Sequence, residues 1–164
     1  MNLMNPRGGT ASEFSYPEDR LFKLGGILSA DQIQHLNDKD PEGDLVRYVI
    51  KRAHIKSPNI GHAKSTTIGR LSSRFESIVR HYGTLGTFDS VEATVYPYNS
   101  TSGPFSRGGD SGALVVGHEA EFVALLTGGT GPTSPSDITY CTPMHWLWND
   151  IIKPMFPGAK LDCS

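Results

Sequence analysis

The stretch Arg107-Gly108-Gly109-Asp110-Ser111-Gly112-Ala113-Leu114-Val115-Val116 places one serine between an aspartate and a glycine, directly ahead of an apolar run that predicts a buried strand. Ser111 is therefore the first candidate for a nucleophile. When a serine hydroxyl attacks a carbonyl, the oxyanion that forms is best stabilised by preorganised backbone N–H groups. Glycines allow a turn to aim such amides at one point, because no side chain stands in the way. A Gly-Asp-Ser-Gly tetrapeptide is also typical of ordinary turns, so its interpretation depends on the surrounding elements.

The length and charge of the chain restrict its class. With 164 residues the chain has room for one domain with a sizeable core. A formal net charge of −2 gives no electrostatic reason to expect nucleic acid or an anionic membrane as a partner. No signal peptide or membrane span is apparent, so the cytoplasm is the default localisation. The two cysteines, Cys141 and Cys163, are too few for a disulfide scaffold, and the sequence leaves a bridge between them open.

The composition changes along the chain and predicts four segments. Ser29 and Gln32 fit a capping box, which predicts one short helix over about 30–37. The segments are a disordered or linker arm over 1–20, a connecting segment with this helix over 21–44, a β-barrel with a terminal helix over 45–158, and a tail over 159–164.

Short runs rich in Val, Ile, Tyr and Thr, separated by turn-forming residues, predict strands on both sides of Ser111. The predicted strands are Leu45–Ala53, Thr66–Tyr82, Phe88–Tyr98, Ala113–Val116, Phe122–Thr127 and Ile138–Cys141. Strands of this number and length predict a mainly β fold, a single six-stranded antiparallel barrel.

Beyond the last strand the apolar residues follow the period of a helix. Thr142 and Pro143 predict its start, and Lys153–Pro154 predicts its end. The apolar positions at helical spacing are Met144, Leu147, Trp148, Ile151 and Ile152. A C-terminal amphipathic helix is therefore expected to pack on the barrel.

The order of three strands, a Gly-Asp-Ser-Gly motif, three strands and a terminal helix resembles the C-terminal barrel of trypsin- and chymotrypsin-like serine peptidases, the S1 type of the PA clan. The chain also resembles S1-like hypothetical peptidases of fungal genomes over about 16–153. The segments that carry this resemblance are Tyr96–Ser100, Ser102–Ser106, Gly109–Ala113, Leu125–Gly129 and Tyr140–Met144. The resemblance implies a hydrolase that performs proteolysis.

The resemblance implies roles for the residues around the motif. Ser111 matches the acylating nucleophile, and the backbone N–H groups of Gly109 and Ser111 match the oxyanion hole. Asp110 and Gly112 match the residues that support the turn.

The resemblance also implies a substrate site. Phe105 matches the floor of the primary specificity pocket, which implies a preference for an apolar substrate side chain. The strand that pairs with the substrate backbone is matched by Thr127, Gly128 and Gly129. The expected partner is a polypeptide substrate or a protein, and the resemblance implies neither a cofactor nor a metal.

A peptidase of this family needs a histidine base and an aspartate that holds it, and the family carries both on a separate N-terminal barrel. The 44 residues ahead of Leu45 are too few for a second barrel, which needs roughly 65 residues. No histidine lies in a context similar to the family's histidine motif, whether His35, His54, His62, His81, His118 or His145. The histidine-bearing half is therefore expected to be absent.

Two hypotheses from different classes stay open. The first is a serine endopeptidase with Ser111 as its nucleophile, represented by an incomplete chain that is inactive in isolation and that lacks its N-terminal barrel. The second is a non-catalytic binding or regulatory module derived from a serine-peptidase barrel.

Other patterns in the sequence indicate no further chemistry. The basic cluster Lys51–Lys56 is interpreted as a solvated strand end, because the net charge is negative and no aromatic residues alternate with it. The glycine-rich loop over 127–134 lacks the ending of a P-loop, and the histidines lack a zinc-binding spacing.

Overall fold

The computed structural model describes residues 24–57, 61–81, 83–117, 119–130, 137–161 and 163, and of 52–57, 61–68, 74, 80 and 81 only the backbone. The predicted arm over 1–20 lies outside the described residues. The strands are β1 (Gly26–Ile27), β2 (Asp38–Lys39), β3 (Leu45–Ser57), β4 (Gly61–His81), β5 (Thr87–Pro97), β6 (Leu114–Gly117), β7 (Glu121–Gly129) and β8 (Thr139–Pro143). The helical elements are α1 (Ala30–Gln34), a 3-10 turn (Gly83–Leu85) and a C-terminal segment, α-helical over Met144–Trp146, π-helical over Leu147–Ile152 and α-helical over Lys153–Met155.

Six strands form a closed antiparallel barrel, which confirms the predicted architecture. Neighbouring strands follow the order β7-β6-β3-β4-β5-β8, and the pairing of β8 with β7 closes the circle. The barrel therefore consists of two three-stranded units, β3–β5 and β6–β8, and the motif around Ser111 lies in the connection between them. Closure leaves no sheet edge within the barrel itself.

The first three barrel strands run beyond the barrel as two-stranded ribbons, which the sequence did not predict. The first half of β4 pairs with β3 and its second half with β5, with an irregularity between Leu71 and Phe75. The β4–β5 ribbon and the 3-10 turn that connects its strands expose several apolar side chains, namely Val79, Leu85, Phe88 and Val91. Both faces of a two-stranded ribbon are in contact with solvent. The alternation of residue types along these strands therefore does not show where the barrel ends and the ribbon begins.

The connecting segment adds two short strands to the barrel. β1 pairs in parallel with β7, and β2 pairs antiparallel with β3. Between them, the amide of Gln32 donates to Ser29 Oγ over 3.2 Å, and the amide of Ser29 donates to Gln32 Oε1 over 3.0 Å. This capping box starts the five-residue α1, which buries Ile33.

The C-terminal helical segment differs from its prediction at both ends. Thr142 and Pro143 belong to β8, and no side chain caps the first helical turn. Pro154 lies inside the last turn, which closes through the amide of Phe156 donating to the carbonyl of Ile152 over 2.8 Å. Because proline has no N–H, position 154 donates no hydrogen bond to the preceding turn of the segment.

The core fills the barrel with apolar side chains from every strand of the circle and from the preceding segment. Its fully buried members include Leu28, Ile33, Val49, Leu71, Val95, Phe105, Val115, Val123 and Cys141. Cys141 and Cys163 are both free, so the bridge that the sequence left open is not formed. Burial raises the pKa of the Cys141 thiol, and the Glu92 carboxylate adds to that effect.

Gly69 on β4 is required by the packing of Phe105. A Cβ atom at this position would lie 2.5 Å from Phe105 Cδ2 and 2.7 Å from Val95 Cγ1. We expect Gly69→Ala to lower the free energy of unfolding by about 1–3 kcal/mol, because the filled core must shift to make room. Urea denaturation measures the change, with Gly158→Ala as the control, since nothing lies within 4 Å of a Cβ there. Equal effects of the two substitutions would contradict this packing.

Candidate functional site

The motif forms two successive β-turns, and each has a glycine where the backbone needs a positive φ. The amide of Asp110 donates to the carbonyl of Arg107 over 3.1 Å, and the amide of Ala113 donates to the carbonyl of Asp110 over 2.9 Å. Gly109 and Gly112 are the third residues of these turns, with φ of +97° and +82°. Turns with positive φ at this position strongly favour glycine. Ser111 is the second residue of the second turn and is exposed.

Hydrogen bonds to β7 hold the second turn in place. The amide of Gly112 donates to the carbonyl of Leu126 over 2.7 Å, and the amide of Leu126 donates to the carbonyl of Ala113 over 3.0 Å. Among the backbone hydrogen bonds of the described residues, none is donated by the amides of Gly109 or Ser111. These are the two donors that the resemblance assigned to an oxyanion hole.

A cleft of about 580 Å³ opens beside Ser111. Its lining consists of Pro104, Ser106, Arg107, Gly108, Gly109, Ser111, Leu126, Gly128, Gly129 and Asp137. A cleft of this volume is in the range of small-molecule and side-chain binding sites. The connection between the two strand units and the end of β7 thus form one concave surface.

The structure brings some of the sequence-predicted substrate residues to this cleft and not others. Gly128 and Gly129 line it. Phe105 is fully buried in the core, and its neighbours Pro104 and Ser106 line the cleft in its place. The hydroxyl of Thr127 donates to the carbonyl of Tyr140 over 3.1 Å, so this side chain serves the β7–β8 pairing.

A buried ion pair beneath the motif was missed by the sequence analysis. Lys51 Nζ donates to Asp110 Oδ2, and the two side chains are only 3% and 12% exposed. The same carboxylate oxygen accepts the amide of Arg107 over 2.8 Å. Lys51 Nζ also lies 5.6 Å from the centre of the Phe105 ring. The pair therefore fixes the first turn from inside the barrel.

The interpretation of Lys51 as part of a solvated strand end is wrong. Lys51 lies two residues after the core residue Val49 on β3, so both side chains point into the barrel. The signal that could have found it is the alternation of β3 itself, in which Lys51 takes an inward position. The rest of the basic cluster, 52–56, lies where only the backbone is described.

No histidine lines the cleft among the residues that the structure describes. His35 forms an exposed pair with Asp31 on the helix α1, and His145 lies on the C-terminal helical segment. Burial lowers the pKa of His145, against an opposing effect of Asp150. Of the remaining histidines, His54, His62 and His81 have no described side chain, and His118 lies outside the described residues.

The described residues contain no group of three or more His, Cys, Asp and Glu side chains arranged to hold a metal ion. Within the same residues, no helix has the length and apolar character that crossing a membrane requires.

The sequence matches no model of a known protein family, and a comparison with curated proteins finds no match either. We therefore infer function from the residues of the cleft and from the bend that carries Ser111.

We expect Lys51→Met to lower the free energy of unfolding by about 3–5 kcal/mol, because it leaves the Asp110 carboxylate without its charge partner. Adding Asp110→Asn removes the second charge. The loss of unfolding free energy in the double variant should therefore be smaller than the sum of the losses in the two single variants. Chemical denaturation of the four proteins measures this coupling. Lys39→Met, at an exposed position on β2, is the control for loss of a lysine charge. Strictly additive effects would mean that the ion pair does not hold the bend.

Proposed function

We propose that the protein is a serine-peptidase-like barrel that binds polypeptide in the cleft beside Ser111, with Ser111 as its nucleophile. The observation that carries this proposal is the exposed serine on a bend whose own amide and that of Gly109 donate no backbone hydrogen bond among the described residues. Donors held in place before the reaction, with no partner to release, are what stabilises a developing oxyanion.

The strand order supports the trypsin-like character of the proposal. Two three-stranded units closed into one barrel, with the serine bend in the connection between them, agree with the order that the resemblance implies. Gly128 and Gly129 of β7 line the same cleft, and nothing lies within 4 Å of a Cβ placed at Gly128, which leaves room for an extended peptide there.

The proposed reaction is acyl transfer. Ser111 Oγ would attack the carbonyl carbon of a peptide bond, the carbonyl oxygen would take the negative charge, and the hydroxyl proton would pass to a base. Collapse of this intermediate would break the C–N bond, with the proton passing from the base to the leaving amine, and water would then hydrolyse the acyl ester on Ser111. Such a base must come within about 2.6–3.2 Å of the hydroxyl. Since the described lining of the cleft contains no histidine, a histidine base would have to come from residues other than those of this lining.

The lack of a histidine in the described lining of the cleft favours a second candidate, a binding module without catalytic activity. A serine-peptidase site that lacks its base loses about 10⁴-fold or more in rate. It keeps the cleft and the amides, which suffice for binding an extended peptide.

We expect a fluorophosphonate probe to label the full chain at Ser111, and Ser111→Ala to abolish the label. Mass spectrometry of the labelled peptide identifies the modified residue. Ser106→Ala is the matched control, because Ser106 also lines the cleft but its hydroxyl is paired with that of Thr139 at 2.7 Å. That variant should keep the label. A folded protein that takes no label would refute the nucleophile and support the binding module.

A further inference from the structure

The ribbon that β3 and β4 form beyond the barrel lies in the most basic part of the chain. Residues 45–75 contain seven of the 15 lysines and arginines and none of the 17 acidic residues. The cations of this stretch whose side chains are described are each paired with a carboxylate from elsewhere in the chain, namely Arg47 with Glu121, Lys51 with Asp110 and Arg70 with Asp40. Beyond Lys51 the ribbon supplies no carboxylate of its own.

The register of the ribbon brings its basic residues onto one face. Residues directly opposite each other in an antiparallel pair share a face, and the two faces alternate along each strand. Three successive pairs of one face are Arg52 with Thr66, His54 with Lys64, and Lys56 with His62. The pairs of the other face are Ala53 with Ser65, Ile55 with Ala63, and Ser57 with Gly61. We call the first set the basic face of the ribbon.

The dimensions of the basic face fit a nucleic-acid duplex. Residues two apart on a strand are separated by about 6.8 Å and paired strands by about 4.8 Å, so the three pairs extend over about 14 Å. The major groove of B-form DNA is about 12 Å wide and admits a two-stranded ribbon.

The opposite face of the ribbon does not favour a membrane as the partner. Ile55 is the one large apolar residue among the six positions of that face. Binding in the interface of a bilayer depends on a much larger buried apolar surface.

We propose that the basic face of the β3–β4 ribbon binds duplex DNA through its phosphates, with the ribbon in the major groove and without reading the base sequence. The formal net charge of −2 does not oppose this, because the acidic residues lie outside 45–75 and the local charge governs contact with phosphate. No residue of this face lines the cleft beside Ser111, so the site is independent of the proposed peptidase chemistry.

The salt dependence of binding tests the site. Fluorescence anisotropy gives the Kd of the full chain for a fluorescein-labelled duplex of about 20 base pairs. If Arg52, Lys56 and Lys64 neutralise one phosphate each, counterion release should lower the affinity about 40-fold between about 50 and 200 mM KCl. A DNA duplex of unrelated sequence should bind equally well, because phosphate contacts carry no sequence information. An RNA duplex should bind several-fold more weakly, because its major groove is deep and narrow.

Three double variants assign the salt dependence to the ribbon. Lys56→Gln with Lys64→Gln should reduce the loss of affinity over the same salt range to about threefold, since one phosphate contact remains. Lys39→Gln with Lys160→Gln removes two exposed lysine charges outside the ribbon and should leave the salt dependence unchanged. Lys56→Arg with Lys64→Arg keeps the charges and should retain binding, which separates loss of charge from loss of folding.

Several results would overturn the assignment. They are no binding to the DNA duplex at low salt, equal affinity for the DNA and RNA duplexes, and an equal decrease of the salt dependence in the two glutamine variants. Binding to vesicles of phosphatidylserine and phosphatidylcholine in equal amounts, without binding to DNA, would assign the basic face to an anionic membrane instead.

Discussion

The ion pair between Lys51 and Asp110 is the constraint on which the site depends. The two residues are 59 positions apart, one on the first barrel strand and the other in the connection between the two strand units. Both charges are almost fully withdrawn from water, so neither can move away without leaving the other uncompensated in a medium of low dielectric. The bend that carries Ser111 is thereby tied to the barrel wall, with Phe105 packed beside the ammonium group.

The second anchor of the bend is β7, and the two anchors act in different ways. The ion pair fixes the Asp110 side chain from inside, and the hydrogen bonds of Gly112 and Ala113 with Leu126 fix the backbone from the side. The turn glycines make this possible because their positive φ values reverse the chain twice within a few residues. As a result Ser111 lines the cleft, and among the described residues no backbone hydrogen bond is donated by its amide or by that of Gly109.

Much of this could be predicted from local patterns, and the failures have physical causes. The alternation of apolar residues located all six barrel strands, since a strand with one buried face carries its own periodicity. The lengths of β3 and β4 were underestimated because their outer parts pair as ribbons outside the core. The start of the C-terminal helix was displaced because Thr142 and Pro143 complete the pairing of β8 with β7, and that demand outweighs a local capping preference.

The sequence by itself determined the turn chemistry around Ser111 and the number of barrel strands, because each depends on neighbours along the chain or on simple periodicity. Only the tertiary structure decided which side chains meet at the cleft. It put Phe105 into the core, Asp137 onto the cleft wall and Lys51 under the motif. The physical reason is barrel closure, which joins residues far apart in the chain and encloses or exposes their charges, and no local pattern encodes that outcome.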